Sequence, residues 1–155
     1  MPEISIRPLD AEDGPHLARI FFCAVYDGTR AHYSFRQRRA WAGDAIMAAR
    51  WQEAAEMTGF VAQLDDEPVG FMTIDAAGHI EFAFVLPSLA GTGIGWRLYE
   101  AVEAKARDFG ATALTVEASE IAKPFFERQG WTAIARQSVT RRDVTLTNYK
   151  MEKVL

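Results

Sequence analysis

The sequence predicts a mixed fold of the α+β / α/β type, with a central, mostly antiparallel sheet flanked by helices, over a single domain spanning residues 1–155. Three observations carry this expectation. Short alternating segments across residues 59–86 are separated by tight turns, the pattern of an antiparallel meander. The last of them, residues 79–86, enters a glycine-rich turn that opens at once into an amphipathic helix marked by Ile94, Leu98, Ala101, Val102 and Phe109. Beyond it, residues 112–117 form a β-branched strand. A helix between two neighbouring strands requires a right-handed crossover and a parallel pair.

The remaining elements follow in order. Ile4-Ser5-Ile6-Arg7 alternates and reads as a first strand. Asp10 and Asp13 are good caps for a helix whose apolar stripe is Leu17, Ile20, Phe21, Ala24 and Val25, ending by Asp27-Gly28. Residues 34–57 are expected to be helical, broken at Gly43-Asp44, with Asp44 capping a second piece. Residues 59–64 and 69–74 are strands, with a turn at 65–68 and another at Ala77-Gly78. Along residues 79–85 a strict alternation puts Ile80, Phe82 and Phe84 on the core face and His79 and Glu81 on the other. Gly110 stops the long helix. A short helix covers residues 122–129, with Pro124 in its first turn and Gly130 past its end. Two alternating stretches around Arg142-Asp143 make a terminal hairpin.

Composition narrows the function classes. Nearly half the residues are apolar, enough for a sizeable core. No apolar run approaches the length of a membrane span, and the first residues do not form a secretory signal. Cys23, the one cysteine, excludes an internal disulfide and points to a reducing, cytoplasmic compartment. It sits in an apolar run, as a core thiol does and a nucleophile does not. A net charge of −4 argues against a nucleic-acid binder, and the histidines and cysteine make no metal-ligand spacing. The cations and aromatics of residues 32–41 fit an amphipathic helix with snorkelling arginines better than a nucleic-acid patch.

The turn Ala90-Gly91-Thr92-Gly93-Ile94-Gly95 is the most informative stretch. A glycine turn opening a helix presents unpaired N–H groups and the positive end of the helix dipole, which together form an anion site. It is not a P-loop, because Trp96 follows Gly95 where the phosphate lysine would stand. It is not a dinucleotide fingerprint, because the glycines are spaced G-x-G-x-G after hairpin-linked strands. It resembles the [QR]-x-x-G-x-[GA] pyrophosphate loop of the GNAT superfamily of N-acetyltransferases at every position but the first. A second block, Ala118-Ser119-Glu120-Ile121-Ala122-Lys123-Pro124-Phe125-Phe126-Glu127-Arg128-Gln129-Gly130-Trp131, resembles that superfamily's A-x-x-F-Y-E-x-x-G-F segment. The order and spacing of both blocks match the family over the whole chain.

The resemblance implies the GNAT fold, splayed at the parallel pair formed by residues 79–86 and 112–117. It implies acetyl transfer from acetyl-CoA, as co-substrate, to a primary amine of a small molecule or peptide, with no metal. The pyrophosphate is expected on Ala90, Gly91, Thr92, Gly93, Ile94 and Gly95. The pantetheine arm is expected along Phe84, Val85 and Leu86, with an N–H near Val85 or Leu86 binding the oxyanion. Ser119, Lys123 and Phe126 are expected to contact the cofactor, and Arg97 lies near enough to the helix start to join them. Three positions depart from the family: Ala90 replaces Gln or Arg, Ser119 replaces Asn, and Phe126 stands where many members have a tyrosine general acid.

A neutral amine must form before attack, so a base is required. Glu81, polar on a central strand, is the first candidate, and Glu117 could share that role or bind the amine. Tyr149 is a candidate acid in place of Phe126, ahead of Tyr33 and Tyr99. Tyr33, Trp41 and His79, with Phe35 and Trp51, are candidates for shaping the acceptor site. A homodimer is a further expectation. The alternative is a non-catalytic acyl-CoA-binding sensor or interaction module.

Overall fold

Residues 3–155 are described in a computed structural model. Strand β1 (Ile4–Pro8) leads through a 3-10 turn, Ala11–Asp13, into α1 (Gly14–Tyr26). Asp10 caps the turn by accepting the Glu12 N–H, and Pro15 sits in the first turn of α1. Helix α2 (Phe35–Ala42) follows, with Ser34 and Gln37 forming a capping box.

The second helical piece departs from expectation. After Gly43, at φ +91°, the chain runs irregularly to a 3-10 segment, Ala48–Trp51, and one turn of helix, α3 (Gln52–Ala55). Asp44 caps nothing, because Arg39 Nε holds its carboxylate at 2.6 Å.

The remaining strands are β2 (Gly59–Leu64), β3 (Glu67–Thr73), β4 (His79–Ile80), β5 (Ala83–Val85), β6 (Ala113–Ser119), β7 (Thr132–Arg141) and β8 (Val144–Val154). Helix α4 (Ile94–Asp108) joins β5 to β6, and α5 (Ala122–Arg128) joins β6 to β7. Two four-stranded sheets result, ordered β1-β2-β3-β5 and β4-β6-β8-β7. All pairs are antiparallel except β4 with β6, where His79 faces Thr115 and Ile80 faces Val116.

The sheets are covered on both faces. Alternation along β2 and β3 sends Val61 and Phe71 toward Leu17, Ile20 and Phe21 of α1. It sends Ala62 and Met72 toward Ile94, Leu98 and Val102 of α4, where Leu114, Val116 and Phe126 join them. A fully buried Leu or Phe contributes about 1.5–3 kcal/mol, so these two apolar layers hold the sheet in place.

Residues 79–85 do not form one continuous strand. Ile80 packs on the α4 side, and so do Ala83 and Val85, whereas Phe82 and Phe84 pack on the α1 side. Strict alternation would have kept Ile80, Phe82 and Phe84 together. One extra residue at Glu81 swaps the faces, as a β-bulge does. The backbone freed by the slip is satisfied by buried Thr73: its Oγ1 accepts the Phe82 N–H at 3.1 Å, and its own N–H donates to the Phe82 carbonyl.

This break is what parts the two sheets. β4 stays with β6, while β5 stays with β3 and does not pair with β6. A fork opens between β5 and β6 on the C-terminal side of Ile80.

Candidate active site

The turn that follows β5 is open. Gly91 and Gly93 have φ of +78° and +89°, and a Cβ at either would meet no atom within 4 Å. Glycine is required there by backbone conformation, and the space beside it is free. No side chain caps α4, and its first backbone acceptor bond runs from the Arg97 N–H to the Gly93 carbonyl. The amides of Ile94, Gly95 and Trp96 therefore lack intrahelical partners and point out of the helix start. The Thr92 hydroxyl donates to the Leu89 carbonyl and closes the turn. The Ile94 side chain is buried in the core, so only its backbone faces the turn.

One edge of β5 is paired with β3 and the other is free. The Leu86 N–H donates to the Val69 carbonyl, and the Phe82 carbonyl accepts from Thr73. Alternate residues of an antiparallel strand face opposite ways, so Ala83 and Val85 turn their N–H and C=O groups into the fork. The expectation of an oxyanion donor near Val85 or Leu86 is thus narrowed to Val85. The Leu86 amide is already spent.

On the α1 side of the fork lies a cleft of about 350 Å³. Its walls are aromatic: Phe21, Tyr33, Trp41, Trp51, Phe82 and Phe84. His79 enters from β4, Glu81 from the break between β4 and β5, Glu117 and Ser119 from β6, and Asn148 from β8. The His79 ring links the two sides of the parallel pair, with Nδ1 2.9 Å from Thr115 Oγ1 and Nε2 3.5 Å from Glu81 Oε2. Glu81 itself is solvent-exposed, with 53% of its side-chain surface accessible.

Tyr33, Trp41, His79, Glu81, Glu117, Ser119 and Phe84, all singled out in the sequence, therefore converge on one cleft. Tyr33 is also a strut. Its hydroxyl donates to the Thr147 carbonyl at 2.7 Å and accepts the Glu120 N–H at 2.9 Å. Burial pushes its pKa above the ordinary phenol value.

Other expected residues lie elsewhere. Phe126 is 1% exposed, its ring packed against Tyr99, Phe125 and Trp131, so it acts as core packing with no face toward the fork. The Tyr99 hydroxyl accepts the Trp131 Nε1–H at 3.0 Å inside the core, and burial raises its pKa far above the ordinary value. Tyr149 is half-buried on the α4 side of β8, the face opposite Leu146 and Asn148, and its hydroxyl donates to Glu120 Oε1 at 3.0 Å. Lys123 stacks over the Tyr149 ring and pairs with Glu127 at 3.2 Å. Arg97 reaches back to the Ile4 carbonyl at 2.8 Å.

Three polar residues of the cleft carried no sequence signal strong enough to find them: Arg50, Arg141 and Asn148. Asn148 is placed by register alone, opposite Ser119 on β6. Arg141 lies at the end of β7, folded back by the hairpin turn at Arg142-Asp143. Among the described residues no group of three metal-ligating side chains occurs, and no helix is long and apolar enough to cross a membrane.

Comparison with known proteins agrees with this geometry. The family model for the GNAT acetyltransferase domain matches residues 29–153. The uncharacterised N-acetyltransferase YafP of Escherichia coli K12 is 35% identical over 152 residues, 97% of this chain and 96% of its own. The crystal structure of a GCN5-related N-acetyltransferase from Rhodopseudomonas palustris superposes with a TM-score of 0.91 at 34% identity, covering 97% of this chain and 95% of that one. The PaiA N-acetyltransferase of Thermoplasma acidophilum, solved with coenzyme A, shares the fold at a TM-score of 0.79 and 16% identity, with 99% of both chains covered. The open glycine turn, the forked sheet and these matches together make the chain an N-acetyltransferase of the GNAT superfamily.

Proposed function

We propose that the protein transfers the acetyl group of acetyl-CoA to a primary amine by direct attack in a ternary complex. The observation that carries this reading is the fork: the free backbone edge of Ala83 and Val85 lies just ahead of the uncapped amides of the Gly91–Gly95 turn. The residues fit the co-substrate, since the turn is open, positively polarised and lined by glycine. The coenzyme A bound by the PaiA relative supports the same choice. Acetyl-CoA, when bound, supplies an activated thioester carbonyl.

The chain's own groups then divide the work. The amides at the start of α4 hold the diphosphate, and Ala83 and Val85 pair with the amide-bearing arm as a strand would. The Val85 N–H stabilises negative charge developing on the carbonyl oxygen. An alkylamine is mostly protonated near neutral pH, so Glu81 accepts its proton directly or through water. His79 is fixed by Thr115 and in turn orients Glu81. Tyr149, on the α4 side of β8 with its hydroxyl bonded to Glu120, is the residue we assign to protonate the leaving sulfur. A module that only senses acyl-CoA has no need of an aromatic cleft with carboxylates at its inner end.

Titration calorimetry with acetyl-CoA and a thiol-release assay over a panel of amines test the proposal. Binding with amine-dependent thiol release is expected. Gly93→Val should remove the binding, because a β-branched residue at φ +89° is strained and intrudes on the diphosphate. Failure of acetyl-CoA to bind the wild-type protein, or thermal protection by ATP or NAD in its place, would reject the reading.

A further inference from the structure

The cleft holds charges of both signs that do not pair with one another. Glu81 meets only His79, and among the described residues Glu117 has no cationic partner within ion-pair distance. Arg50, from the helical layer, rests over the Phe21 and Trp51 rings at 5.7 and 5.9 Å and likewise has no carboxylate partner among them. Arg141, from the end of β7, donates only to the Thr140 carbonyl beside it.

A second observation is independent of these charges. Asn148 Oδ1 is buried and accepts no hydrogen bond, although the residue lines the cleft next to Ser119. An orphaned buried acceptor costs about 1–3 kcal/mol unless something donates to it.

We infer that the acceptor is a small amino acid-like amine, with its nitrogen and a carboxylate at opposite ends of an apolar or ring-bearing body. The inference rests on the acetyltransferase reading and names its substrate class. The amine lies at the sheet wall, beside the Asn148 amide and Glu117 and within reach of Glu81. The apolar body lies among Trp41, Trp51 and Phe84. The carboxylate meets Arg50, whose planar fork suits it and which the rings hold in position. A cleft of about 350 Å³ suits a small molecule. In the reaction the nitrogen–carbonyl bond forms, the carbon–sulfur bond breaks, the amine proton goes to Glu81, and the thiolate leaves and is protonated.

Matched acceptors test this: 4-(aminomethyl)benzoate against benzylamine, and 6-aminohexanoate against pentylamine, each with and without Arg50→Gln. The amino acids should show KM values at least about tenfold lower than their decarboxylated partners, and Arg50→Gln should erase that difference while leaving the amines unchanged. Asn148→Leu should raise KM for both members of each pair with acetyl-CoA affinity unaltered. Equal or reversed preference in the wild type overturns the inference, as does an Arg50→Gln effect that is the same for both classes or nil. Acetyl-CoA calorimetry on the same samples separates the two levels. Tight acetyl-CoA binding without turnover of any acceptor refutes the substrate class alone, whereas absent binding removes the acetyltransferase reading beneath it.

Discussion

Thr73 and Phe82 clasp each other through two hydrogen bonds, the Phe82 N–H to Thr73 Oγ1 at 3.1 Å and the Thr73 N–H to the Phe82 carbonyl at 2.9 Å. That clasp stabilises the extra residue at Glu81, and the extra residue both opens the fork and turns Glu81 and Phe82 together into the cleft. Thr73→Val keeps the shape and deletes the acceptor. The orphaned Phe82 amide should destabilise the protein by about 1–3 kcal/mol, measured by urea unfolding. Acetyl-CoA-dependent turnover should fall with it, because the base shifts. Full stability in the variant would mean that the hydroxyl is not what secures the break.

Glu81→Gln removes the proposed base without changing the volume of the side chain. We expect kcat to drop about 10²- to 10⁴-fold while the acetyl-CoA Kd, by calorimetry, stays the same. A variant with the wild-type kcat across the pH range would eliminate Glu81 from the proton path.

Tyr149 is the proposed acid for the leaving sulfur: its hydroxyl is bonded to the Glu120 side chain, whereas Tyr33 and Tyr99 are held in structural hydrogen bonds and Phe126 has no hydroxyl. Tyr149→Phe should lower kcat about 10²-fold or more, with KM for the amine little changed. If kcat is unaffected, the thiolate departs without an acid.

Asp13 joins β1 to the start of α1. Its carboxylate is 4% exposed and accepts two hydrogen bonds from Arg7, at 2.7 and 2.8 Å, and a third from the Asp10 N–H. The Arg7 hydrogen bonds hold its pKa below the ordinary 3.8. A lowered folded pKa stabilises the protein fully above the unfolded value, and the contribution is lost as pH falls from about 4 through the folded pKa. Asp13→Asn should therefore lower Tm at pH 7, by the equivalent of about 1–3 kcal/mol. The gap between variant and wild type should close below pH 4 in calorimetric scans. A gap independent of pH would assign the loss to packing.

Much of this was legible in the chain. The glycine turn could be read because glycine's conformational freedom and the helix that follows are local properties, and both survive folding unchanged at Gly91 and Gly93. The long helix, the terminal hairpin at Arg142-Asp143 and the parallel crossover were legible for the same reason. Asp44 was misjudged as a cap because its competitor, Arg39, is a side-chain contact that no local rule weighs.

The amino-acid order alone determined the open glycine turn, the elements around it and the family they belong to, because each depends on residues within a few positions of one another. Tertiary structure decided the site. Strict alternation placed Phe82 and Phe84 with Ile80, and only pairing with Thr73 reveals the slip that divides them. Arg50 comes from a segment far from the β7–β8 hairpin that carries Arg141 and Asn148, and they meet only when the helical layer and that hairpin close over the fork. Register is settled by which distant strand satisfies each backbone group, and a neighbouring residue carries no record of that choice.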